Sequence, residues 1–122
     1  SGRKVSCWLG TVPKNSSSGE SERHGGITKA GNSRLRRLLA GGNAAIALRT
    51  ARRKALPPKR VVSPNVREMA DKASLRLAKR YGSLVKDNGL KACRARMAIV
   101  NEQVRWVWAI GLAVQAEQEA CA

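Results

Sequence analysis

The sequence contains no Phe, one Tyr and three Trp, so aliphatic side chains must fill most of any core. It also has one His and only three Cys, which are far apart: Cys7, Cys93 and Cys121. A zinc site needs several closely spaced His or Cys ligands, and a disulfide framework needs an even number of Cys. The sequence therefore predicts no metal site and no disulfides in these residues, which fits a reducing cytoplasm.

Acidic residues are also few: 8 Asp and Glu face 24 Lys and Arg, which gives a formal net charge of +16. Two-metal phosphoryl transfer needs several converging carboxylates, and the scattered acids of this chain do not supply them. No apolar run reaches the roughly 18 residues of a membrane span, and no signal peptide is visible. The excess of cations favours nucleic acid as partner, because neutralising phosphates releases counterions.

The charge is distributed unevenly along the chain. Residues 21–60 hold eleven Lys or Arg and one Glu, a net charge of +10, whereas residues 101–122 hold one Arg and three Glu, a net charge of −2. We expect the first segment to form a binding face and the second a packing face. Trp106 or Trp108 in the second segment would then anchor a partner or belong to the core.

Three segments have apolar residues at steps of three and four, which is typical of amphipathic helices. The first follows a capping Asn32 or Ser33 and extends to about Lys54. The second starts at Ser63-Pro64, with Ser as cap and Pro in the first turn. The third covers Leu90 to about Gln118, after a predicted turn at 87–89.

The segment 15–26 is rich in Ser and Gly, which predicts a loop, and no segment shows the alternation of a strand. We therefore predict an all-α fold, a small helical domain of three to four helices with an N-terminal Ser/Gly-rich loop. The predicted boundaries are 1–31 for the serine loop region, 32–54 for the basic helix, 55–63 for a linker and 64–122 for a helical hairpin.

The start of the basic helix carries cations where acids are usually favoured, because the N-terminal end of a helix is itself partly positive. Lys29, Arg34, Arg36 and Arg37 would become favourable there if a phosphate docked at the helix end. The alternative is that Arg is simply abundant in this segment. Both interpretations stay open.

The run Ser16-Ser17-Ser18 has two interpretations. A Ser/Gly run is most often a flexible linker. A serine attacks a phosphodiester only if it is oriented and nearby cations stabilise the developing charge. The basic stretch that begins at Arg23 could supply those cations, and we then expect the helix-end arginines to hold a phosphate beside Ser18.

Several motifs occur together in order. They are Trp8-Leu9-Gly10-Thr11-Val12-Pro13, Ser17-Ser18-Gly19, Gly26-Ile27-Thr28-Lys29-x-Gly31-Asn32-x-x-Leu35-Arg36-Arg37-Leu38-Leu39 and Asn101-x-x-x-Arg105-x-x-Trp108-Ala109. This set resembles the C-terminal transposase domain of the insertion-sequence 110/1111 group (110/116/902 type). Those enzymes are RNA-guided serine recombinases related to pilin-gene-inverting recombinases. The likeness is strong over 8–45, weak over 55–90 and moderate over 91–110.

The resemblance implies a serine nucleophile, Ser18 or alternatively Ser17, which forms a covalent phosphoserine with DNA. It implies phosphate contacts by the cations of the matching region, although it gives no individual role to any of them: Arg23, Lys29, Arg34, Arg36 and Arg37. Thr11 and Asn43 stand where the family usually has apolar residues, and Glu102 stands where a basic residue is common.

The resemblance also implies partners: DNA, an element-encoded guide RNA and further copies of the enzyme, in the bacterial cytoplasm at the nucleoid and without a membrane. The family's RNase-H-like domain, whose four acids bind divalent metal, is absent from these 122 residues. We therefore expect no cofactor in this domain, Mg²⁺ in that other domain, and no strand transfer by this chain alone. The alternatives are a non-enzymatic basic helical nucleic-acid-binding protein and a degenerate copy that folds poorly.

Overall fold

The computed structural model describes residues 1–18, 21–48 and 57–122. Within these ranges the chain forms four helices and a two-stranded sheet: α1 (Gly2–Leu9), β1 (Pro13–Ser18), β2 (Ser21–Ile27), α2 (Ser33–Leu48), α3 (Pro64–Lys86) and α4 (Ala92–Ala120). The predicted small and mostly helical domain is confirmed. The predicted end of the basic helix near Lys54 and the start of the linker at position 55 lie outside the described residues.

Helices α3 and α4 form an antiparallel pair. Ser63 caps α3, because its Oγ accepts a hydrogen bond from the backbone N–H of Val66 at 3.2 Å, and Pro64 occupies the first turn, as predicted. The same Ser63 Oγ donates to Glu117 Oε1 near the other end of α4 at 2.9 Å. The predicted turn between the helices is present, with Gly89 at a φ of 61°.

The core is small and lies along α4, which contacts all three other helices. Its innermost residues are Ala95, Ile99 and Val100, each 0% exposed. Leu9 of α1 and Val104 of α4 extend this core, and Leu39 of α2 packs against its edge. Aliphatic side chains thus fill the interior, as expected for a chain without Phe.

Two buried polar residues occupy positions where apolar residues were expected from the resemblance. Thr11 is 2% exposed, and its Oγ1 donates to the backbone oxygen of Ser6 at 3.1 Å, so its hydroxyl is satisfied. Asn43 is 0% exposed, and neither polar atom of its amide has a partner among the described residues.

The Ser/Gly-rich segment forms a β-hairpin, so the prediction of a loop over residues 15–26 and of no strand is wrong. β1 pairs with β2 in antiparallel register, with Ser17 opposite Glu22 and Ser18 opposite Ser21. Among the described elements the two strands contact each other and no helix. We call β1 and β2 the serine arm. An arm that covers no core needs no apolar face, and for that reason its sequence lacks the alternation by which strands are recognised.

Candidate nucleic-acid interface

Helix α1 ends in a backbone reversal that directs the chain into the serine arm. Gly10 adopts the left-handed conformation, with a φ of 69°. Its N–H donates to the oxygen of Cys7 at 3.0 Å, and the N–H of Thr11 donates to the oxygen of Ser6 at 3.1 Å. This pair of bonds is the Schellman arrangement, in which glycine is favoured because it tolerates a positive φ.

The two ends of the serine arm meet in a tightly packed junction, residues 9–12 and 28–31, which we call the arm base. The N–H of Lys29 donates to the oxygen of Gly10 at 3.1 Å. A Cβ at Gly10 would lie 2.1 Å from the oxygen of Ala30, and one at Gly31 would lie 2.1 Å from the oxygen of Trp8. The two backbone segments therefore approach more closely than any side chain would allow.

Arg36 of α2 connects the arm base to the helix through hydrogen bonds. Its Nη1 donates to the backbone oxygens of Leu9 and Ala30 at 2.9 Å each and to that of Gly31 at 3.1 Å. Backbone oxygens without a partner are costly once they are partly buried, and a charged donor satisfies them strongly. Arg36 thus positions the arm base, a role that sequence reasoning did not foresee.

Asn32 caps α2, and of the two predicted candidates it is the residue that does so. Its Oδ1 accepts hydrogen bonds from the N–H of Arg34 at 2.9 Å and of Leu35 at 3.2 Å. These N–H groups are among the free donors of a helix end that would otherwise attract a phosphate. An anion at this end would therefore be bound by side chains more than by the backbone.

Three cationic side chains are exposed around the arm base: Lys29, Arg34 and Arg37. The first turn of α2 contains no acid that would neutralise them. Lys29 itself has a φ of 57°, a conformation that costs a non-glycine residue about 1–2 kcal/mol. The strained lysine makes the turn from β2 towards α2 and holds its ammonium at the surface.

The serines lie at the opposite end of the arm. Ser18 is the last residue of β1 and is five residues beyond Pro13, the first residue of that strand. At a rise of about 3.3 Å per residue, this places the Ser18 backbone roughly 16 Å along the strand from the arm base. Arg23 pairs with Ser16 in the register. The side chains of Ser16, Ser17, Ser18 and Arg23 lie outside the described part of the structure.

The predicted site residues thus separate into two groups. Lys29, Arg34, Arg36 and Arg37 belong to the arm base and the start of α2, whereas the backbones of Ser17, Ser18 and Arg23 lie on the arm. Whether a phosphate held by the helix-end arginines reaches the Ser18 hydroxyl stays a prediction.

Sequence reasoning also missed a second basic cluster between α3 and α4. Arg76, Arg80 and Arg105 line a cavity of about 320 Å³ together with Glu102 and Trp106. The spacing of Arg76 and Arg80, one helical turn apart, is the signal in the sequence, but it is weak because Lys and Arg are frequent throughout this chain.

The structure offers no obvious metal centre or membrane segment in its described ranges. No three His, Cys, Asp or Glu side chains among those residues are placed to hold one metal ion together. None of the helices described above is long and apolar enough to cross a membrane. The three Cys are free and exposed.

Residues 1–57 match the sequence model of the Transposase IS116/IS110/IS902 family. This range contains α1, the serine arm and the described part of α2. The chain is also 39% identical over 110 residues to "Putative transposase y4qE" of Sinorhizobium fredii (strain NBRC 101917 / NGR234). That alignment covers 88% of this chain but 28% of the relative. No solved structure matches the chain.

Proposed function

We propose that this chain is the DNA-binding part of a transposase of the IS116/IS110/IS902 family and that it supplies the serine nucleophile for strand cleavage and exchange. The observation that carries this proposal is the family match over residues 1–57. It covers in one stretch the arm that bears the serines and the basic base that supports it. The net charge of +16 favours a nucleic acid as the partner.

The proposed chemistry conserves phosphodiester bonds. Ser18 Oγ, with Ser17 as the alternative, loses its proton and attacks a DNA phosphorus. The bond from phosphorus to one deoxyribose oxygen breaks, and that oxygen takes up a proton. A DNA end then attacks the phosphoserine, forms a new phosphodiester and returns the hydroxyl to the serine. Cations that stabilise the extra negative charge in the transition state are needed beside the serine, and Arg23 is the nearest in register.

The geometry suggests separate tasks for the arm and its base. Ser18 lies roughly 16 Å along the strand from the arm base, which corresponds to about five base-pair steps of B-DNA. One phosphate would therefore be attacked at the end of the arm while Lys29, Arg34 and Arg37 bind other phosphates of the same DNA. In this arrangement Arg36 contributes mainly by fixing the direction of the arm.

The remaining parts of the reaction are proposed to lie outside these 122 residues. The chain spans 28% of the length of the Sinorhizobium relative. We propose that an RNase-H-like domain elsewhere in the enzyme binds Mg²⁺ and that an element-encoded RNA selects the DNA. We also propose that the enzyme works at the bacterial nucleoid and that this chain alone carries out no strand transfer.

An exposed apolar face suggests how copies associate. Trp8 is 63% exposed, Val107 58%, Leu112 50% and Trp108 41%, and all four line one groove between α1 and α4. We propose that a second copy covers this face, since a contiguous apolar surface on a soluble domain usually marks an interaction site. Sedimentation velocity at increasing concentration tests this, and a constant monomer mass would contradict it.

The binding proposal predicts a specific dependence on salt. Replacing Arg34 and Arg37 together by Gln should lower the affinity for duplex DNA about tenfold or more. It should also reduce the slope of log Kobs against log salt by about two, since each lost phosphate contact removes about one. Fluorescence anisotropy at several salt concentrations measures both quantities.

The matched control removes the same charge elsewhere. Lys79 and Lys86 are exposed on α3, and the double change to Gln should have a much smaller effect on the slope. Equal effects of the two double variants would mean that binding depends on diffuse charge and not on the arm base.

A second function is favoured by the charge and the helical fold alone. A basic helical protein can bind nucleic acid without any chemistry. The two functions differ at Ser18, because only the transposase needs this hydroxyl to form a bond with DNA.

A further inference from the structure

The cavity between α3 and α4 combines features of a nucleotide site and contains no residue of the family-matched segment. It is lined by Arg76, Arg80, Asn101, Glu102, Arg105 and Trp106 and has a volume of about 320 Å³. This volume is in the range of small-ligand sites, which begin at roughly 300 Å³. We call it the Arg–Trp pocket.

Glu102 organises two of its cations. Its side chain is 11% exposed, and one carboxylate oxygen pairs with Arg76 Nε while the other pairs with Arg80 Nη1. Burial alone would raise the pKa of Glu102, but the hydrogen bonds and charges of Arg76 and Arg80 outweigh it and hold the pKa of this carboxyl below its usual value. The carboxylate is therefore ionised at neutral pH and fixes the positions of both guanidinium groups.

The two arginines keep binding capacity beyond this carboxylate. Arg76 is 63% exposed and Arg80 46% exposed, and a guanidinium carries five N–H donors. With Arg105 the pocket holds three positive charges against one negative charge. The excess suits a phosphate, for which arginine is well matched in geometry.

The pocket also offers an aromatic side chain suited to a base. Trp106 is half-buried in its wall, and indole rings stack with nucleobases.

We propose that the Arg–Trp pocket binds one unpaired nucleotide of a single-stranded nucleic acid. Its phosphate contacts Arg105 and the free N–H groups of Arg76 and Arg80, and its base packs on Trp106. Duplex DNA cannot enter in this way, because its bases are paired and stacked. The proposal rests on the proposed function only in taking nucleic acid as the partner.

The experiment compares probes that differ in bases and strandedness. Anisotropy titrations of the 122-residue chain use a single-stranded oligonucleotide, an abasic strand of equal length, the duplex, a nucleoside monophosphate and inorganic phosphate as competitors. Trp106→Leu should weaken binding of the single strand about tenfold and leave the abasic strand unaffected, because only stacking is lost. Trp106→Phe should restore most of the affinity and shows that the fold tolerates a change at this position.

Arg105→Gln should weaken the single strand and the abasic strand alike and reduce the salt slope of each by about one. Arg60→Gln removes the same charge at an exposed position outside the pocket and should lower both the affinity and the salt slope less. Competition by the monophosphate but not by inorganic phosphate would support recognition of base and phosphate together. Competition by inorganic phosphate as strong as that by the monophosphate would reduce the pocket to an anion site and overturn the proposal.

The outcomes separate this proposal from the proposed function. If the chain binds no nucleic acid, both fail. The pocket proposal alone fails if binding depends on Arg34 and Arg37 but Trp106→Leu weakens the affinity for the single strand no more than the affinity for the abasic strand.

Discussion

Replacing Ser18 by Ala in a complete transposase that contains this chain should abolish covalent capture of DNA while leaving DNA binding nearly unchanged. Removal of a nucleophile typically lowers the rate by at least about 10³-fold, because the covalent bond to phosphorus can no longer form at that residue. The hydroxyl contributes little to affinity beside the many cations. A protein–DNA adduct that survives denaturing electrophoresis measures capture, and anisotropy measures binding.

Ser17→Ala is the matched control. Neighbouring positions of a strand alternate between its two faces, so positions 17 and 18 of β1 lie on opposite faces of the serine arm. Loss of the adduct in Ser17→Ala alone would move the nucleophile to the alternative serine. If the adduct persists when both serines are Ala, neither of them is the nucleophile and the proposed chemistry at Ser17 and Ser18 is wrong.

The second large effect is expected at the arm base. Gly10→Ala should destabilise the fold by about 3 kcal/mol or more, a large part of the roughly 5–15 kcal/mol that holds a typical domain together. The new methyl group would meet the oxygen of Ala30 at 2.1 Å, and alanine disfavours the φ of 69°. Gly31→Ala should act similarly through the oxygen of Trp8. Urea denaturation followed by circular dichroism gives the free energy of unfolding.

Gly111→Ala is a control in which the free energy of unfolding should change in the opposite direction. Gly111 lies inside α4, and a Cβ there would have no neighbouring atom of the described residues within 4 Å. Alanine should stabilise the helix by roughly 0.5–1 kcal/mol, because it is the better helix former. Equal stabilities of the Gly10→Ala variant and the unchanged chain would contradict the close approach at the arm base.

Helices α2, α3 and α4 could be predicted because their signals are local. Periodic apolar residues, the Ser63-Pro64 start and the Asn32 cap depend on neighbours within one or two turns, and the structure has these features where the sequence placed them. The serine arm could not be predicted in this way. Its strands are held by a backbone ladder between polar residues, and backbone hydrogen bonds leave little trace in the side-chain pattern.

The roles of individual arginines were similarly hidden. Arg34, Arg36 and Arg37 are alike in a list of residues, and only the fold shows that Arg36 reaches three backbone oxygens across the arm base. Glu102 stands where a basic residue is common in the family that the sequence resembles. In the fold it lies beside Arg76 and Arg80 of α3 and pairs with both. Contacts between residues distant in sequence decide both cases.

Among the described elements the serine arm contacts no helix, so its length is uncoupled from the packing of the core. One extra pair of residues, one in each strand, would move the hydroxyls about 3.3 Å outward and turn every later position to the other face; two pairs would keep the face and add roughly 6.6 Å. Related chains could therefore vary the reach of the proposed nucleophile in two-residue steps, without any compensating change in the helical body.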